Sequence, residues 1–263
     1  MIFRAPQLNL NQFHVFEYEL YPYQFTGDDV PPTPLTPQNV ILPETNILRE
    51  KAALFGHLIG YKQEQDGMMI QNLVPNHKTE YQQISTSSKA QLELHTETAF
   101  HPYRPDYVLL MCLRGDPDAF TTIATISNIL RNLSGGIKDI LREKLFTTSL
   151  DISFQNAEQP DRTITTSILN GSSLIYDKTL MKGTTPQAVL ALEHLDKAIS
   201  LATRKIALMT GDILVINNHT CVHGRAPFQP RYDGTDRWLQ RALVVKELPP
   251  LDQRNGNVIT TIL

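Results

Sequence analysis

Two imidazoles and one carboxylate in this chain have the types and spacing to hold a metal. His95-Thr96-Glu97 lies in QLELHTETAF, a stretch of extended character, and His223 follows far downstream in NNHTCVHGR. On a strand, residues i and i+2 share a face, so His95 and Glu97 can reach one ion together. With His223 they form a set that holds a divalent iron on one face and leaves three positions open. Arg237, beyond His223, is placed to grip the carboxylate of an oxo-acid co-substrate bidentately. The tripeptide alone is weak: with 8 His and 27 acidic residues in 263, a chance His-x-acid match is expected about once. One such decoy is His194-Leu195-Asp196, within PQAVLALEHLDKAISLATRK, where Val189, Leu192, Leu195 and Ile199 recur at helical spacing. On a helix, residues i and i+2 diverge, so geometry favours His95 and Glu97.

His223 has rivals. Alternation puts His219 and Cys221 on the same face, and His95, His223 and Cys221 would suit zinc. A carboxylate with two His and no cysteine pair favours iron instead. His101 precedes Pro102 and is expected in a loop. His223 itself, after ILVINN and beside Gly224 and Pro227, is expected at a strand end or loop mouth. Arg237 and Arg241 are separated by an even number in an otherwise apolar strand and so face one side. If that side is the interior, they are buried cations that need anionic partners, and two small carboxylates would supply them.

The elements that must position these residues are mostly strands. Residues 1–30 look extended, with Phe13, Val15, Phe16 and Tyr18, and the prolines of PPTPLTP (31–37) make a connector or a flap. NILREKAALFGHLIGY (46–61) reads as one helix, with Leu48, Ala52, Leu54, Phe55 and Leu58 on its apolar side. GMMIQNLVP (67–75) reads as a strand and HKTEYQQISTSSKAQ (77–91) as a loop leading to the His-x-Glu strand. YVLLMCLRG (107–115) is a buried strand. TTIATISNILRNL and IKDILREKLF (121–147) read as two helical stretches broken at Ser134-Gly135-Gly136. TITTSILN and SSLIYD flank the turn dipeptide Asn170-Gly171. A helix spans 186–204, and KIALMT, ILVINN and WLQRALVVKEL are strands. Strands outnumber helices without regular alternation, and no Gly-rich phosphate loop is present. The expectation is a mainly β fold with some α: a double-stranded β-helix, or cupin-like jelly roll, with helical insertions on its outside.

At 263 residues the chain suits one domain over 1–263. A net charge of −3 with scattered Lys and Arg provides no basic field for nucleic acid or an acidic membrane. Two cysteines, Cys112 and Cys221, are too few for a disulfide framework. The opening MIFRAPQLNLNQF lacks a charged region followed by an apolar core, so no signal peptide is expected. No run approaches the roughly 20 apolar residues of a membrane span. A cytoplasmic protein with a small-molecule substrate is expected.

LELHTETAFHPYRPDYVLLMCLR together with GDILVINNHTCVHGRAPFQPRYDGTDRWLQR, about a fifth of the chain, resembles the clavaminate synthase-like branch of the TauD/TfdA superfamily of Fe(II)/2-oxoglutarate dioxygenases. That branch includes hydroxylases of free arginine, asparagine and lysine. The resemblance implies that His95, Glu97 and His223 ligate Fe(II), and that Arg237 grips the distal carboxylate of 2-oxoglutarate with help from Thr121, or alternatively Thr122. It implies that Arg241 binds the α-carboxylate of an amino-acid substrate, with Ser85 and Gln65 at the same end of that substrate. It further implies use of O2, release of succinate and CO2, and hydroxylation of an unactivated C–H. Glu97 matches hydroxylating members, since halogenating relatives carry a small residue there. One departure concerns the paired aspartates that hold a guanidinium in arginine hydroxylases: the stretch assigned to them reads ILNGSSLIYD, with Asn170, Ser172 and Ser173. Asp177 could still meet a cation. Alternatives are a non-amino-acid or carrier-bound acid as substrate, desaturation or ring formation, and a non-catalytic barrel that binds a metabolite.

Overall fold

The computed structural model describes residues 16–25, 30–36, 40, 42–155 and 162–262. Numbered in chain order, its strands begin with β1 (Tyr18–Pro22), β2 (His57–Tyr61), β3 (Ile70–Leu73), β4 (Leu92–His95), β5 (Tyr107–Arg114) and β6 (Phe120–Thr125). β7 (Phe146–Ser149), β8 (Thr163–Thr166), β9 (Leu169–Asn170), β10 (Ser173–Leu174) and β11 (Met181–Gly183) follow. The last are β12 (Arg204–Ala207), β13 (Asp212–Asn217), β14 (Cys221–Arg225), β15 (Trp238–Val245), β16 (Arg254–Asn255) and β17 (Val258–Ile259). The helices are α1 (Pro43–Ala53), α2 (Ile126–Arg131), α3 (Gly135–Arg142) and α4 (Pro186–Ala202).

Two sheets enclose the interior. The larger runs β1-β13-β5-β15-β2-β17-β16, with β3 also paired to β15, and the smaller runs β12-β6-β14-β4. Strands distant in sequence interleave: β5 lies between β13 and β15, and β14 between β6 and β4. Every pairing in the smaller sheet is antiparallel. This is the jelly roll with outer helices expected from the sequence.

Alternation along the strands sorts side chains into layers. Val108, Leu110 and Cys112 of β5, with Leu214 and Ile216 of β13, meet Ile123 of β6 and Cys221 of β14 between the sheets. Their neighbours Leu109, Met111, Leu113, Ile213 and Val215 point the other way and pack under Leu48 and Ala52 of α1. Behind the smaller sheet, Ala124 and Val222 pack against Ile129, Leu141, Ala191, Leu195 and Ile199 of the other helices. A fully buried aliphatic side chain of this kind contributes about 1.5–3 kcal/mol. α4 starts where Thr185 accepts a hydrogen bond from the Ala188 N–H and Pro186 opens the first turn. Val189, expected on its inner face, is exposed.

Several local expectations are corrected. The helix foreseen over 46–61 ends at Ala53, and HLIGY is instead β2, paired with β15. Gly56 makes the break: its φ is 148°, and a Cβ there would lie 2.3 Å from the Val245 carbonyl oxygen. Leu54 is accordingly exposed. Thr121–Thr125, foreseen as helix, belongs to β6, and only Ile126–Arg131 is helical. Four β-branched residues in five suit a pleated strand, and hydrogen bonding to β12 and β14 on both sides decides the matter. The proline segment is pinned by a hydrogen bond of 2.8 Å from the Thr33 N–H to the Gly234 carbonyl and by Arg114 on the Thr33 hydroxyl. Phe13 and Val15 lie outside the described residues.

Candidate metal and co-substrate site

β4 and β14 are neighbours, and His95 stands directly opposite His223 in their register, with ring centroids 4.6 Å apart. Gly224 permits the close approach, since a Cβ there would lie 2.4 Å from the Leu92 carbonyl oxygen. His223 is in the middle of β14, not at a strand end, and its backbone is flanked by β6 and β4. Glu97 follows two residues after β4 ends. There the Asn218 side chain replaces a strand partner: its Oδ1 accepts from the Glu97 N–H (2.7 Å), and its Nδ2 donates to the Glu97 and Pro105 carbonyls (3.1 and 2.9 Å). One ligand atom each from His95, Glu97 and His223 lies within 4.8 Å of the others.

The donor set fits a divalent cation. His95 Nδ1 lies 2.8 Å from the Glu93 carbonyl oxygen, which can only accept. A neutral His95 therefore carries its proton on Nδ1 and keeps the Nε2 lone pair for a metal. Burial holds His223 neutral by pushing its imidazole below the ordinary range, against the pull of Glu97. Burial also pushes the Glu97 carboxyl up, but the Arg241 guanidinium leads the groups that pull it down, and the balance holds it well below the usual carboxylate range. Glu97 Oε2 is buried without a hydrogen bond and faces His223 Nε2 at 3.3 Å.

Two further groups share the interior with this triad. Arg237, just before a register shift at the head of β15, donates from Nη2 to the Thr121 hydroxyl at 2.8 Å. Thr122, the alternative to Thr121, sits on the opposite face of β6. Four residues on, Arg241 donates from Nη1 to Glu97 Oε1 (2.8 Å) and from Nη2 to Glu64 Oε2 (3.1 Å). Its Nε and Nη2 also donate to Gln71 Oε1, and Gln71 Nε2 in turn donates to Glu64. Burial pushes the Glu64 carboxyl up while Arg241 pulls it down. Sequence reasoning missed Glu64 and Gln71. Gln71 stands opposite Arg241 in the β3–β15 register, a pairing visible only once β3 is placed. Glu64 is the neighbour of Gln65, the residue that the family resemblance implies at this end of the substrate. Gln65 lines the cavity mouth but is exposed, at the start of a turn in which Gln65, Asp66 and Gly67 all have positive φ.

All these groups open on one cavity of about 730 Å³, which Ser85, Asp151 and Asp177 also line, with Leu73, Leu110 and Leu239 as its apolar wall. Asp177 is the bridge partner of His95. Its Oδ1 accepts from the Thr179 N–H, the Thr179 hydroxyl and the Leu180 N–H, all within 2.9 Å. Asn170 and Ser172 are exposed at the β9–β10 hairpin, and Ser173 is bonded to Arg104. The lack of acids at 170–173 therefore leaves the cavity chemistry untouched.

The rival ligands lie elsewhere. His219 is held between Asp106 and Arg104. Cys221 donates to the Glu17 carbonyl, and His101 is 3.1 Å from the Thr261 carbonyl oxygen. His194 is exposed on α4, while Asp196 accepts from the Tyr176 hydroxyl (2.6 Å).

A family model described as taurine catabolism dioxygenase TauD, TfdA family matches residues 40–243. An L-lysine 3-hydroxylase of Catenulispora acidiphila is 35% identical over 232 residues, covering 83% of this chain and 64% of that protein. An asparagine oxygenase crystallised with Fe(II), 2S,3S-3-hydroxyasparagine and succinate superposes with a TM-score of 0.84 and 30% identity, over 93% of this chain and 80% of that one. The non-heme iron oxygenase OrfP in complex with Fe and alpha-ketoglutaric acid gives a TM-score of 0.83 at 30% identity, over 93% and 81%.

Proposed function

The chain belongs to the taurine catabolism dioxygenase TauD, TfdA family, and from that premise we propose that it is an Fe(II)- and 2-oxoglutarate-dependent oxygenase that hydroxylates an unactivated C–H of a free L-amino acid. One observation carries the reading: the triad, the Arg237–Thr121 pair and the Arg241 cluster open on the same cavity. His95, Glu97 and His223 are the residues that hold Fe(II), which when bound supplies O2-dependent oxidation coupled to conversion of 2-oxoglutarate into succinate and CO2.

The chain's own residues position the reactants. Arg237 takes the distal carboxylate of 2-oxoglutarate in a charge-assisted pair, with the Thr121 hydroxyl fixing the guanidinium plane. Arg241 takes the substrate α-carboxylate. Glu64 and Gln71, which now occupy Arg241, are then free to accept from the α-ammonium group. Ser85 lies at the same cavity mouth. Asp177, anchored beside His95, favours a substrate side chain that ends in a cation or an amide. The apolar wall of Leu110 and Leu239 limits water at the reacting end. The residues act within one domain, and a cytoplasmic setting belongs to the same reading, with Cys112 and Cys221 free and buried.

The test is succinate release by the anaerobically Fe(II)-loaded protein given 2-oxoglutarate, O2 and each L-amino acid in turn. One amino acid, expected among those with cationic or amide side chains, should stimulate succinate and appear as a product one oxygen heavier. Slow turnover that no amino acid stimulates would sink the amino-acid assignment.

A further inference from the structure

Arg225 has no part in the reading above, yet it is buried on the same inner face of β14 as His223 and lines the same cavity. In the β14–β6 register it stands directly opposite Thr121, the residue that receives Arg237. Thr121 thus has one arginine, Arg237, on its hydroxyl and a second, Arg225, as its register partner on the neighbouring strand. Neither forms an ion pair with a carboxylate among the described residues, and each keeps a buried Nε–H without an acceptor. Arg225 is partly satisfied by neutral acceptors: Nη2 donates to the Ser87 hydroxyl and the Ala90 carbonyl, both at 2.9 Å, and Nη1 to the Ser85 carbonyl at 3.4 Å. Two neighbouring buried cations with no carboxylate at ion-pair distance are costly, because desolvation and mutual repulsion add. The carboxylate that acts on Arg237, Asp116, is already paired with Arg231. A carboxylate placed between them relieves both.

We propose that Arg225 is the second cationic wall of the co-substrate pocket: with Arg237 and Thr121 it selects a 2-oxo acid that ends in a second carboxylate over one that ends in a methyl group. The inference rests on the oxygenase reading and deepens it at the co-substrate. The neutral bonds to Ser87 and Ala90 hold Arg225 in place while its charge acts on the ligand. Arg237 makes the direct grip, and Arg225 raises the potential around it.

The experiment is calorimetric titration of the Mn(II)-loaded protein with 2-oxoglutarate and, separately, with 2-oxopentanoate, which has the same chain length and no distal carboxylate. In Arg225→Gln the Kd for 2-oxoglutarate should rise about tenfold, the loss expected for one charged partner, while the Kd for 2-oxopentanoate stays unchanged. Arg225→Lys, which retains the charge, should keep most of the discrimination. Equal weakening of both acids would mean that Arg225 only props the 85–90 loop, and unchanged binding of both would mean no role; either result overturns the proposal. If the unaltered protein binds neither acid, the oxygenase reading falls and this inference with it.

Discussion

The two walls of the cavity are built in different ways. One wall is sheet: Thr121, His223, Arg225 and Arg241 stand on β6, β14 and β15, each strand paired on both sides, and His95 ends β4. The other is loop: Glu64 and Gln65 in a tight turn, Ser85 in a long connection, Asp151 after β7, and Asp177 to Leu180 before β11. The groups assigned to the metal and the co-substrate lie on or beside the sheet. Those assigned to the substrate, apart from Arg241 and Gln71, lie on loops. A sheet fixes ligand positions within a few tenths of an ångström through many shared hydrogen bonds, whereas loops accept sequence change at small energetic cost. The division separates what reacts from what is chosen.

Substitutions can break or sharpen this contrast. The largest effect is expected for His223→Ala: metal retention after gel filtration should be lost, and succinate formation should fall by more than about 100-fold, since even outer partners of metal ligands are worth about 10–100-fold. A protein that keeps amino-acid-stimulated turnover would remove the triad from the mechanism. Next comes Gly224→Ala, which removes no ligand but lies beside His223 and close to the Glu93 carbonyl that orients His95. Its methyl would press on the Leu92 carbonyl and part β4 from β14, costing about 1–3 kcal/mol of stability. Denaturant unfolding and metal titration should both register it, and unchanged metal affinity would show that the wall is less rigid than the ladder implies.

Glu64→Gln tests the loop wall. The amino-acid KM should rise about tenfold, as for the loss of one charged hydrogen bond, with 2-oxoglutarate affinity unaltered in a direct binding measurement. A parallel loss of co-substrate affinity would erase the proposed separation of the walls. Ser85→Ala should have the smallest effect, about threefold or less on KM, because its side chain has no partner among the described hydrogen bonds and only its carbonyl is engaged. A larger loss, measured with the stimulating amino acid, would move Ser85 from the cavity lining to direct contact.

How much of this could be read from the chain follows the same division. That His95, Glu97, Arg237 and Arg241 share one interior was legible from their even spacing beside strands. Glu97 nevertheless lies just past β4, where Asn218 rather than the ladder holds the backbone, and Arg237 lies just before β15. The jelly roll was legible because YVLLMCLR, ILVINN and WLQRALVV are too apolar and too short for anything but buried strands. β6 was misread because Ile123, Ile126 and Ile129 also satisfy a helical period, and only the pairing with β12 and β14 decides between them. β2 was misread because nothing short of the Val245 backbone shows that Gly56 must break the helix. Glu64 was missed for a related reason. Three successive positive-φ residues turn the chain just after it, and no periodicity passes through such a turn.

Asn218 gives the centre a property of its own. Because this one side chain clamps the Glu97 backbone from both its N–H and its C=O, the main chain at Glu97 does not depend on what its side chain does. Shortening Glu97 to Ala or Gly should leave a vacant coordination position rather than a collapsed strand, open to a small anion from solution. The proposed metal centre would thus be modular, with two candidate ligands woven into the sheet and a third mounted on a removable bracket.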